Sequence, residues 1–399
     1  MALNSYKEER KNMSYTALYR KFRPDAFSDV KGQDHIVTTL KNQLRANRIG
    51  HAYLFTGTRG TGKTTVAKIF AKTVNCEHPT EDGPCGECRI CKAIAAGASM
   101  NVIEIDAASN NGVDNIREII DEVSYSPAEG KYKVYIIDEV HMLSRDAFNA
   151  LLKIMEEPPA HLLFILATTE IQKVPATILS RCQRFNFKRI LPHDMEQQLL
   201  KVAKAEAIDL TPDGADLLAR MANGALRDAL SLLDQCRAAG AVVDGRSVLD
   251  TLGLAGSTQT VQLMRLLLAR QGGDALALLD QLYRGGKDVG ALLGELSDLC
   301  RDMTVLAAAP EGGAALLGGL YDRKTLSELT AEVPMRRLLY MTDTIQRTAA
   351  ALPRSIRQRT DAELCLLRLC DESLSNDTET LADRVSALED ALKLSLIHI

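Results

Sequence analysis

The sequence predicts an α/β domain, built on a parallel sheet flanked by helices, followed by a small helical domain and a C-terminal all-α domain. Apolar runs of strand length alternate with helical stretches through the first part of the chain. A glycine-rich turn joins the first run to a helix, and beyond Pro192 Leu and Ala recur at helical spacing instead. The 399 residues also exceed what one hydrophobic core usually serves.

The predicted strands are short apolar runs that are separated from one another by helical stretches. They cover residues 51–56, 101–105, 133–137 and 162–167. One helix is predicted from about 62 to 75. Another begins near Arg145 and ends at residues 156–159 (EEPP), because two prolines lack N–H donors and force the chain out of helical geometry. This alternation predicts a parallel sheet covered by helices on both faces.

The predicted domain boundaries follow the changes of pattern. Residues 1–13 are expected to form a disordered extension, 14–190 the α/β domain with an insertion at 76–91, 191–254 the small helical domain, 255–372 the C-terminal helical domain, and 373–399 a tail. In the tail, Leu381, Val385, Leu388 and Leu392 have the spacing of paired helices, over too short a stretch to predict a coiled coil. The last six residues (LSLIHI) suggest a truncated or chimeric end.

The composition is that of an ordinary soluble protein. Hydrophobic residues make up 46% and charged residues 25%, and 48 basic against 52 acidic side chains give a net charge of −4. Bulk charge therefore gives no signal for nucleic acid. No apolar run reaches the length of a membrane span, and the opening residues are too polar for a signal peptide. A cytoplasmic, nucleoid-associated location with no membrane partner is expected.

Residues 57–64 (GTRGTGKT) match a phosphate-binding loop between a strand and a helix. Its glycines let backbone N–H groups surround phosphates, Lys63 reaches the terminal phosphates, and Thr64 ligates Mg²⁺. The predicted nucleotide-binding residues are Gly57, Thr58, Arg59, Gly60, Thr61, Gly62, Lys63, Thr64, Thr65 and Asp138. A chance match is expected on the order of once in a hundred chains of this length, and the strand and helix around the loop lower that figure.

A second motif, residues 134–139 (VYIIDE), delivers two carboxylates at the end of a hydrophobic strand, where open α/β sheets place their ligands. Asp138 is predicted to hold the Mg²⁺ shell. Glu139 is predicted to polarise the water that attacks the terminal phosphate of ATP. The alternative is an exposed acidic pair at a strand end, which is improbable after a phosphate-binding loop.

Four of the nine cysteines form a cluster. Cys76, Cys85, Cys88 and Cys91 place four thiolates in the insertion, and Pro84 and Gly86 supply turns, a pattern that suits tetrahedral Zn²⁺. An iron–sulfur cluster is the rival interpretation, and His78 could replace one ligand. The predicted role is contact rather than catalysis. The scattered cysteines, Cys182, Cys236, Cys300, Cys365 and Cys370, are predicted to be buried thiols.

Two arginines are further candidates for the site. Arg181 lies in an SRC triplet after the last predicted strand, and Arg227 lies in an LRDAL segment of the small helical domain. Charge that develops on a transferred phosphoryl group requires rigidly held cations. By position alone, each arginine is better explained as a surface ion-pair residue, and only its context favours a role at the site.

These motifs together resemble the gamma and tau clamp-loader subunits of bacterial DNA polymerase III, a family of AAA+ ATPases. Beside the loop and the cysteines, the resemblance is carried by YRKFRP at 19–24, GQDH at 32–35, IEIDAAS at 103–109, IDEVHMLS at 137–144, NALLK at 149–153, EEPP at 156–159, ATT at 167–169, ILSRC at 178–182 and LRDAL at 226–230. It is dense from Met13 to about Cys236 and only compositional beyond.

The resemblance implies an AAA+ domain, a helical lid and a helical collar. It also implies an ATP-driven subunit that opens a sliding clamp and loads it onto primed DNA. Thr169 is implied to sense the γ-phosphate, Arg227 to act from the lid on the ATP of its own chain, and Arg181 to act as a finger on a neighbour's ATP. Residues 20–24 and 30–33 are expected near the adenine. The helix after residues 110–112, which carries Arg117, is expected to face duplex DNA.

The implied partners are the delta and delta-prime subunits, further copies of this chain in a ring, the sliding clamp and primer-template DNA. The polymerase core would join them if a longer form exists. Two alternative functions remain at this point. One is another AAA+ motor that remodels DNA or protein, against which the SRC triplet and the cysteine insertion argue. The other is a zinc-bearing scaffold with a structural ATP site, against which the intact Lys63, Thr64 and Glu139 argue.

Overall fold

The structure, a computed structural model, describes residues 15–371 apart from 124, 128, 239, 241, 253–256, 311, 319, 320 and 322. The predicted extension at 1–13 and the tail at 373–399, with its leucine spacing, lie outside the described residues. The chain divides into two compact units after Leu252. Across the described part of the chain, no helix combines the length and the apolar character needed to cross a membrane.

The first unit contains a five-stranded sheet and the helices around it. The strands are β1 (Ala52–Thr56), β2 (Val102–Asp106), β3 (Lys133–Asp138), β4 (Leu162–Thr168) and β5 (Gln183–Asn186). The helices are α1 (Leu18–Lys21), α2 (Asp34–Arg45), α3 (Lys63–Asn75), α4 (Arg89–Ala95), α5 (Val113–Val123), α6 (Arg145–Glu156), α7 (Ala176–Leu179), α8 (Pro192–Ala205), α9 (Pro212–Met221), α10 (Leu226–Ala238) and α11 (Gly245–Thr251). Short 3₁₀ turns occur at Phe27–Asp29, Val140–Met142 and Ile171–Lys173.

The sheet is parallel throughout, in the order β2-β3-β4-β1-β5. Strands β1 and β3 therefore lie on either side of β4, and their carboxyl ends meet at one edge of the sheet. The phosphate-binding loop follows β1, and Asp138 ends β3. The predicted fold class, a parallel sheet with flanking helices followed by helical regions, is confirmed.

Alternating side chains of β1 build the two cores that sandwich the sheet. Tyr53 and Phe55 belong to a cluster that includes buried residues of α2 and α3, whereas Leu54 belongs to a cluster with residues of α5 and α6. The Tyr53 ring packs edge-on against Phe70 of α3 at 5.0 Å between centroids. Burial of each such side chain contributes about 1.5–3 kcal/mol. This packing fixes the start of α3, and with it the glycine-rich loop that precedes the helix.

Strand β5 was not predicted from the sequence. Its four residues, Gln183–Asn186, are polar except for the phenylalanine, and only Phe185 is buried. The strand exists because it pairs in parallel with β1 at the edge of the sheet. Local periodicity cannot reveal such a segment, since pairing with a distant strand supplies its hydrogen bonds.

The helical part of the first unit starts its helices with side-chain caps. Thr211 Oγ1 accepts a hydrogen bond from the Gly214 amide at 3.3 Å at the start of α9. Asp244 accepts one from the Ser247 amide at 2.7 Å at the start of α11, and the Ser247 hydroxyl accepts one from the Asp244 amide at 2.9 Å. Caps of this kind contribute about 1 kcal/mol each.

The second unit is all-α among its described residues. Its helices are α12 (Ser257–Leu268), α13 (Gly272–Arg284), α14 (Val289–Ala308), α15 (Arg323–Thr330), α16 (Met335–Ala351) and α17 (Gln358–Cys370), with 3₁₀ turns at Gly313–Leu316 and Leu352–Arg354. The long helix α14 supplies the fully buried Leu296, Leu299 and Met303 to a single core. One apolar helix at the centre of the unit explains the Leu-rich and Ala-rich composition of this part of the chain.

The five scattered cysteines largely fit the prediction of buried thiols. Cys236, Cys300, Cys365 and Cys370 are buried, whereas Cys182 is only partly buried, which corrects that prediction. Burial raises the pKa of Cys300 to about 12 and that of Cys182 to about 12 as well. Such thiols stay protonated at neutral pH, so their role is packing.

Candidate functional site

The phosphate-binding loop takes a shape that only glycine permits at several positions. Gly57, Gly60 and Gly62 have φ angles of +138°, +78° and +99°. A Cβ atom at Gly57 would lie 2.4 Å from the Phe187 carbonyl oxygen, and one at Gly60 would lie 2.6 Å from Ala225 Cβ. The loop is thus packed closely against Phe187, which follows β5, and Ala225, which precedes α10, so a side chain at either glycine would not fit.

Lys63 is a buried cation at the first position of α3. Its Nζ donates hydrogen bonds to the carbonyl oxygens of Gly57 at 2.8 Å and Thr58 at 2.9 Å. Burial lowers the pKa of Lys63, and the nearby Glu139 and Asp138 carboxylates oppose that shift. A lysine held across the loop in this way is ready to meet phosphate oxygens.

Thr64 and Asp138 bring two oxygen ligands together. Thr64 Oγ1 donates to Asp138 Oδ2 at 2.6 Å, which joins the start of α3 to the end of β3. A hydroxyl and a carboxylate side by side are ligands that Mg²⁺ prefers, and Mg²⁺ usually completes its shell with water and substrate phosphates. The residues present fit an Mg²⁺–nucleotide complex.

Glu139 occupies a left-handed backbone position, with φ of +48°. Its Oε2 accepts hydrogen bonds from Thr169 Oγ1 at 3.0 Å and from the Thr169 amide at 3.3 Å. The structure therefore brings together the predicted general base and the predicted phosphate sensor, which follow neighbouring strands. Non-glycine residues in this conformation cluster at sites where the backbone aims a side chain.

His141 is a member of this group that the sequence did not single out. The ring lies between two carboxylates, with Nδ1 3.4 Å from Glu139 Oε2 and Nε2 3.3 Å from Glu170 Oε1. Nδ1 also lies 3.0 Å from Thr168 Oγ1. The only signal available in the sequence was its place two residues after the acidic pair.

A cleft of about 570 Å³ opens beside the phosphate-binding loop. It is lined by loop residues, Asp138 and Glu139, and also by Tyr19, Arg20, Phe22, Arg23, Pro24, Val30, Lys31, Ile190, Leu226, Arg227 and Leu230. The two segments expected near the adenine thus contribute to the wall. Arg23 also donates from Nε to Thr65 Oγ1 at 3.1 Å, which ties the first segment to α3.

The two candidate arginines occupy different places. Arg227, at the start of α10, lines the cleft of its own chain, with its guanidinium carbon 4.9 Å from the centroid of the Tyr19 ring. Arg181 does not line that cleft. Its guanidinium donates to Glu156 Oε1 at 2.7 Å and to the Thr177 carbonyl at 2.9 Å. The structure therefore brings Arg227 to the cleft of its own chain and leaves Arg181 outside that cleft.

Arg117 is exposed on α5 and forms an ion pair with Asp114 at 3.0 Å, within the same helix. An ion pair within one exposed helical turn contributes little stability. The predicted contact of this helix with DNA stays a prediction.

The four clustered cysteines converge on one point. Their Sγ atoms all lie within 4.8 Å of one another, with 4.0 Å between Cys76 and Cys88 and 4.0 Å between Cys85 and Cys91. Zn–S bonds of about 2.3 Å in a tetrahedron require sulfur separations of about 3.8 Å. The donor set fits a single tetrahedral ion, and the His78 ring is not part of it.

Backbone amides support the same arrangement. The Cys85 amide donates to Cys76 Sγ at 3.3 Å, the Cys88 amide to Cys85 Sγ at 3.3 Å, and the Cys91 amide to Cys88 Sγ at 3.4 Å. Such bonds orient the sulfurs and stabilise their thiolate charge, as the groups around metal ligands generally do.

Three family models match the chain. They are described as DNA polymerase III, delta subunit, over residues 32–191, as the DNA polymerase III clamp loader subunit, ATPase lid domain, over 194–242, and as DNA polymerase III subunits gamma and tau domain III over 243–385.

Curated relatives carry related names. The chain is 43% identical over 387 residues to the DNA polymerase III subunit tau of Bacillus subtilis, which covers 96% of this chain and 69% of the relative. It is 42% identical over 357 residues to subunit tau of Escherichia coli, covering 89% of this chain and 55% of the relative. It is 42% identical over 285 residues to subunit gamma of Buchnera aphidicola, covering 71% of this chain and 79% of the relative.

Solved structures are more distant. The Thermotoga maritima RuvB Holliday junction branch migration motor is 16% identical with a TM-score of 0.45, covering 78% of this chain and 99% of that one. The Bacillus subtilis DNA clamp loader delta protein is 14% identical with a TM-score of 0.36, and the match covers 84% of this chain and 99% of that one. At these scores the structural likeness adds nothing to the assignment. The sequence relatives, the family models and the geometry of the ATP site agree, and the chain belongs to the family of the gamma and tau subunits of bacterial DNA polymerase III, the clamp-loader AAA+ ATPases.

Proposed function

We propose that this chain binds and hydrolyses ATP as a motor subunit of a clamp loader, and that it uses ATP to open a sliding clamp and load it onto primed DNA. The observation that carries the proposal is the complete ATP site at one edge of the sheet. Lys63, the Thr64–Asp138 pair and the Glu139–Thr169 pair come from the ends of two strands, β3 and β4, and from the start of α3. A scaffold with a structural nucleotide site would not need an intact general base.

Each residue has a part in the reaction. The loop amides and Lys63 bind the phosphates, and Thr64 with Asp138 would hold Mg²⁺, which neutralises phosphate charge when bound. Glu139 orients and polarises the attacking water, while its hydrogen bonds from Thr169 couple its position to the γ-phosphate side of the site.

The two arginines complete the electrostatic environment. Arg227 stabilises charge on the phosphates of its own chain. Arg181 serves a neighbour's ATP, as its position outside its own cleft supports. In a ring, binding of ATP at subunit interfaces stabilises the conformation that grips an open clamp, and hydrolysis releases the clamp.

Other parts of the chain serve assembly. In this proposal residues 14–190 form the ATPase domain, 191–254 the lid and 255–372 the collar that joins it to delta, delta-prime and further copies of itself. The four cysteines hold one Zn²⁺, because the space between sulfurs this close accommodates one ion rather than a multi-iron cluster. The insertion at 76–91, which carries these cysteines, does not line the ATP cleft, so its role is structural or in contacts with partners.

Steady-state ATP hydrolysis tests the proposal. The chain would be assembled with delta and delta-prime subunits and assayed alone, with sliding clamp, with primer-template DNA, and with both, beside a Lys63→Ala control. We expect the highest turnover with clamp and primed DNA together. Turnover that ignores the clamp but responds to branched DNA or a protein substrate would favour another AAA+ motor. Absence of turnover in every condition would favour the scaffold.

A further inference from the structure

The face of α10 that carries Arg227 is held by the short helix α1. Arg227, Leu230 and Asp234 are spaced i, i+3 and i+7, so they lie on one face of α10. The Leu18 amide at the start of α1 donates to Asp234 Oδ2 at 3.2 Å, and the Leu18 side chain is fully buried. Helix α1 is therefore fixed to α10 two turns after the arginine.

A second anchor strengthens this attachment. Lys21 at the end of α1 forms an ion pair with Glu206 at 2.6 Å, and Glu206 also pairs with Arg237 of α10 at 3.1 Å. The Glu206 side chain is only 10% exposed, so this is a well-packed carboxylate between two cations. The residue between the anchors, Tyr19, consequently has a defined position.

The Tyr19 ring lies against the Arg227 guanidinium. The guanidinium carbon is 4.9 Å from the ring centroid, within the range of a cation–π contact, and both residues line the ATP cleft. Arg20 Nε also donates a hydrogen bond to the Tyr19 hydroxyl at 3.2 Å. The pKa of Tyr19 is lowered by Arg20 first and by Arg227 second.

Stacking leaves the N–H groups of the arginine available. A guanidinium carries its five N–H donors in its own plane, so a contact with an aromatic face does not consume them. Among the residues that the structure describes, no carboxylate pairs with the Arg227 guanidinium. Arg181 is the opposite case, because Glu156 and the Thr177 carbonyl occupy its donors.

We propose that Tyr19 is a positioning residue that holds the Arg227 guanidinium by its ring face, so that the arginine's N–H donors meet the terminal phosphates of a nucleoside triphosphate. The inference rests on the proposed function, because it takes Arg227 as a phosphate ligand. Tyr19 acts through the arginine, by the face of its ring.

The test is a double-mutant cycle on nucleotide affinity. Binding of a non-hydrolysable ATP analogue to the full chain would be measured by calorimetry for wild type, Tyr19→Leu, Tyr19→Phe, Arg227→Gln and the double variant Tyr19→Leu/Arg227→Gln. An exposed cation–π contact corresponds to a factor of about 2 to 5 in affinity. We expect Tyr19→Leu to weaken binding by that factor, Tyr19→Phe to bind like wild type, and Tyr19→Leu to have no further effect once Arg227 is Gln.

A matched control comes from the second unit. Tyr283 makes the same kind of contact with Arg359, at 5.1 Å, and neither residue lines the cleft, so Tyr283→Leu should leave binding unchanged. Thermal unfolding of every variant would confirm an intact fold.

Several results would overturn the inference. One is that Tyr19→Leu weakens binding of the ATP analogue equally in the wild-type and Arg227→Gln backgrounds. Another is that Tyr19→Phe weakens binding as much as Tyr19→Leu does. A third is that Tyr19→Leu folds normally and binds the analogue as tightly as wild type. An Arg227→Gln variant that binds like wild type would overturn it as well. A wild-type chain that binds and hydrolyses ATP in these cases keeps the proposed function intact, whereas a wild type that binds no nucleotide refutes both.

Discussion

Removal of Arg181 should affect ATP hydrolysis in the assembled ring but not ATP binding by the isolated chain. The Arg181→Ala change deletes a guanidinium that lies outside the ATP cleft of its own chain and pairs with Glu156. In a closed ring the open side of a cleft is covered by the next subunit, which is the direction from which a finger reaches phosphate. We therefore expect unchanged ATP binding by the isolated chain and depressed hydrolysis in the ring.

The structure sets the magnitude of each effect. The Arg181 side chain is 33% exposed and Glu156 is 54% exposed, so their ion pair stabilises the fold by about 1 kcal/mol or less. An arginine finger, in contrast, typically accelerates phosphoryl transfer by about 10³- to 10⁵-fold. The loss in the ring should thus exceed by far anything that a change in stability explains.

The assay compares Arg181→Ala with Glu156→Gln as a matched control. Glu156→Gln removes the same ion pair but keeps the guanidinium, so both variants should show similar thermal unfolding while only Arg181→Ala loses hydrolysis. ATP affinity would be measured on isolated chains, and turnover on rings with clamp and primed DNA. Rings that mix Lys63→Ala chains with Arg181→Ala chains should regain activity only where an intact loop meets an intact finger.

Weaker ATP binding by isolated Arg181→Ala chains, comparable with that of Arg227→Ala, would refute the reasoning, since Arg181 would then act within its own subunit. Equal loss of ring hydrolysis in Glu156→Gln would refute it in another way, because the ion pair with Glu156 rather than the guanidinium itself would then matter.

Three further predictions concern the chain's own sites. Lys63→Ala should abolish ATP binding with the fold intact, because the residue supplies phosphate charge from a loop; calorimetry showing wild-type affinity would contradict the site. Thr169→Val should lower kcat by about 10- to 100-fold, which is the effect of losing one hydrogen bond to the Glu139 carboxylate, and should change KM for ATP little. An unaltered kcat would show that Thr169 does not control the position of Glu139. Elemental analysis should find one zinc per chain, and Cys85→Ser should lose it and lower the melting temperature more than the chain's own ATPase, whereas iron in the wild-type protein would exclude the zinc assignment.

Much of the fold was predictable because its strands are continuous apolar runs. Strands β1, β3 and β4 are buried along most or all of their length. Apolar runs of this kind between helices are typical of a parallel sheet that helices cover on both faces. Strand β5 escaped because only Phe185 is buried and its hydrogen bonds come from β1. Burial of the scattered cysteines was predictable from their apolar surroundings, except for Cys182.

The sequence by itself determined which chemical groups the candidate sites offer. The glycine pattern from Gly57 to Gly62, the acidic pair after β3 and the four cysteines each require specific residue types at fixed spacing, and local spacing is visible in a sequence. Only the tertiary structure decided which distant side chains meet. It joined Thr169 to Glu139, placed His141 between two carboxylates, set Tyr19 beneath Arg227 and left Arg181 outside the cleft. The physical reason is that such contacts depend on strand order and helix packing, which arise from burial of surfaces far apart in the chain.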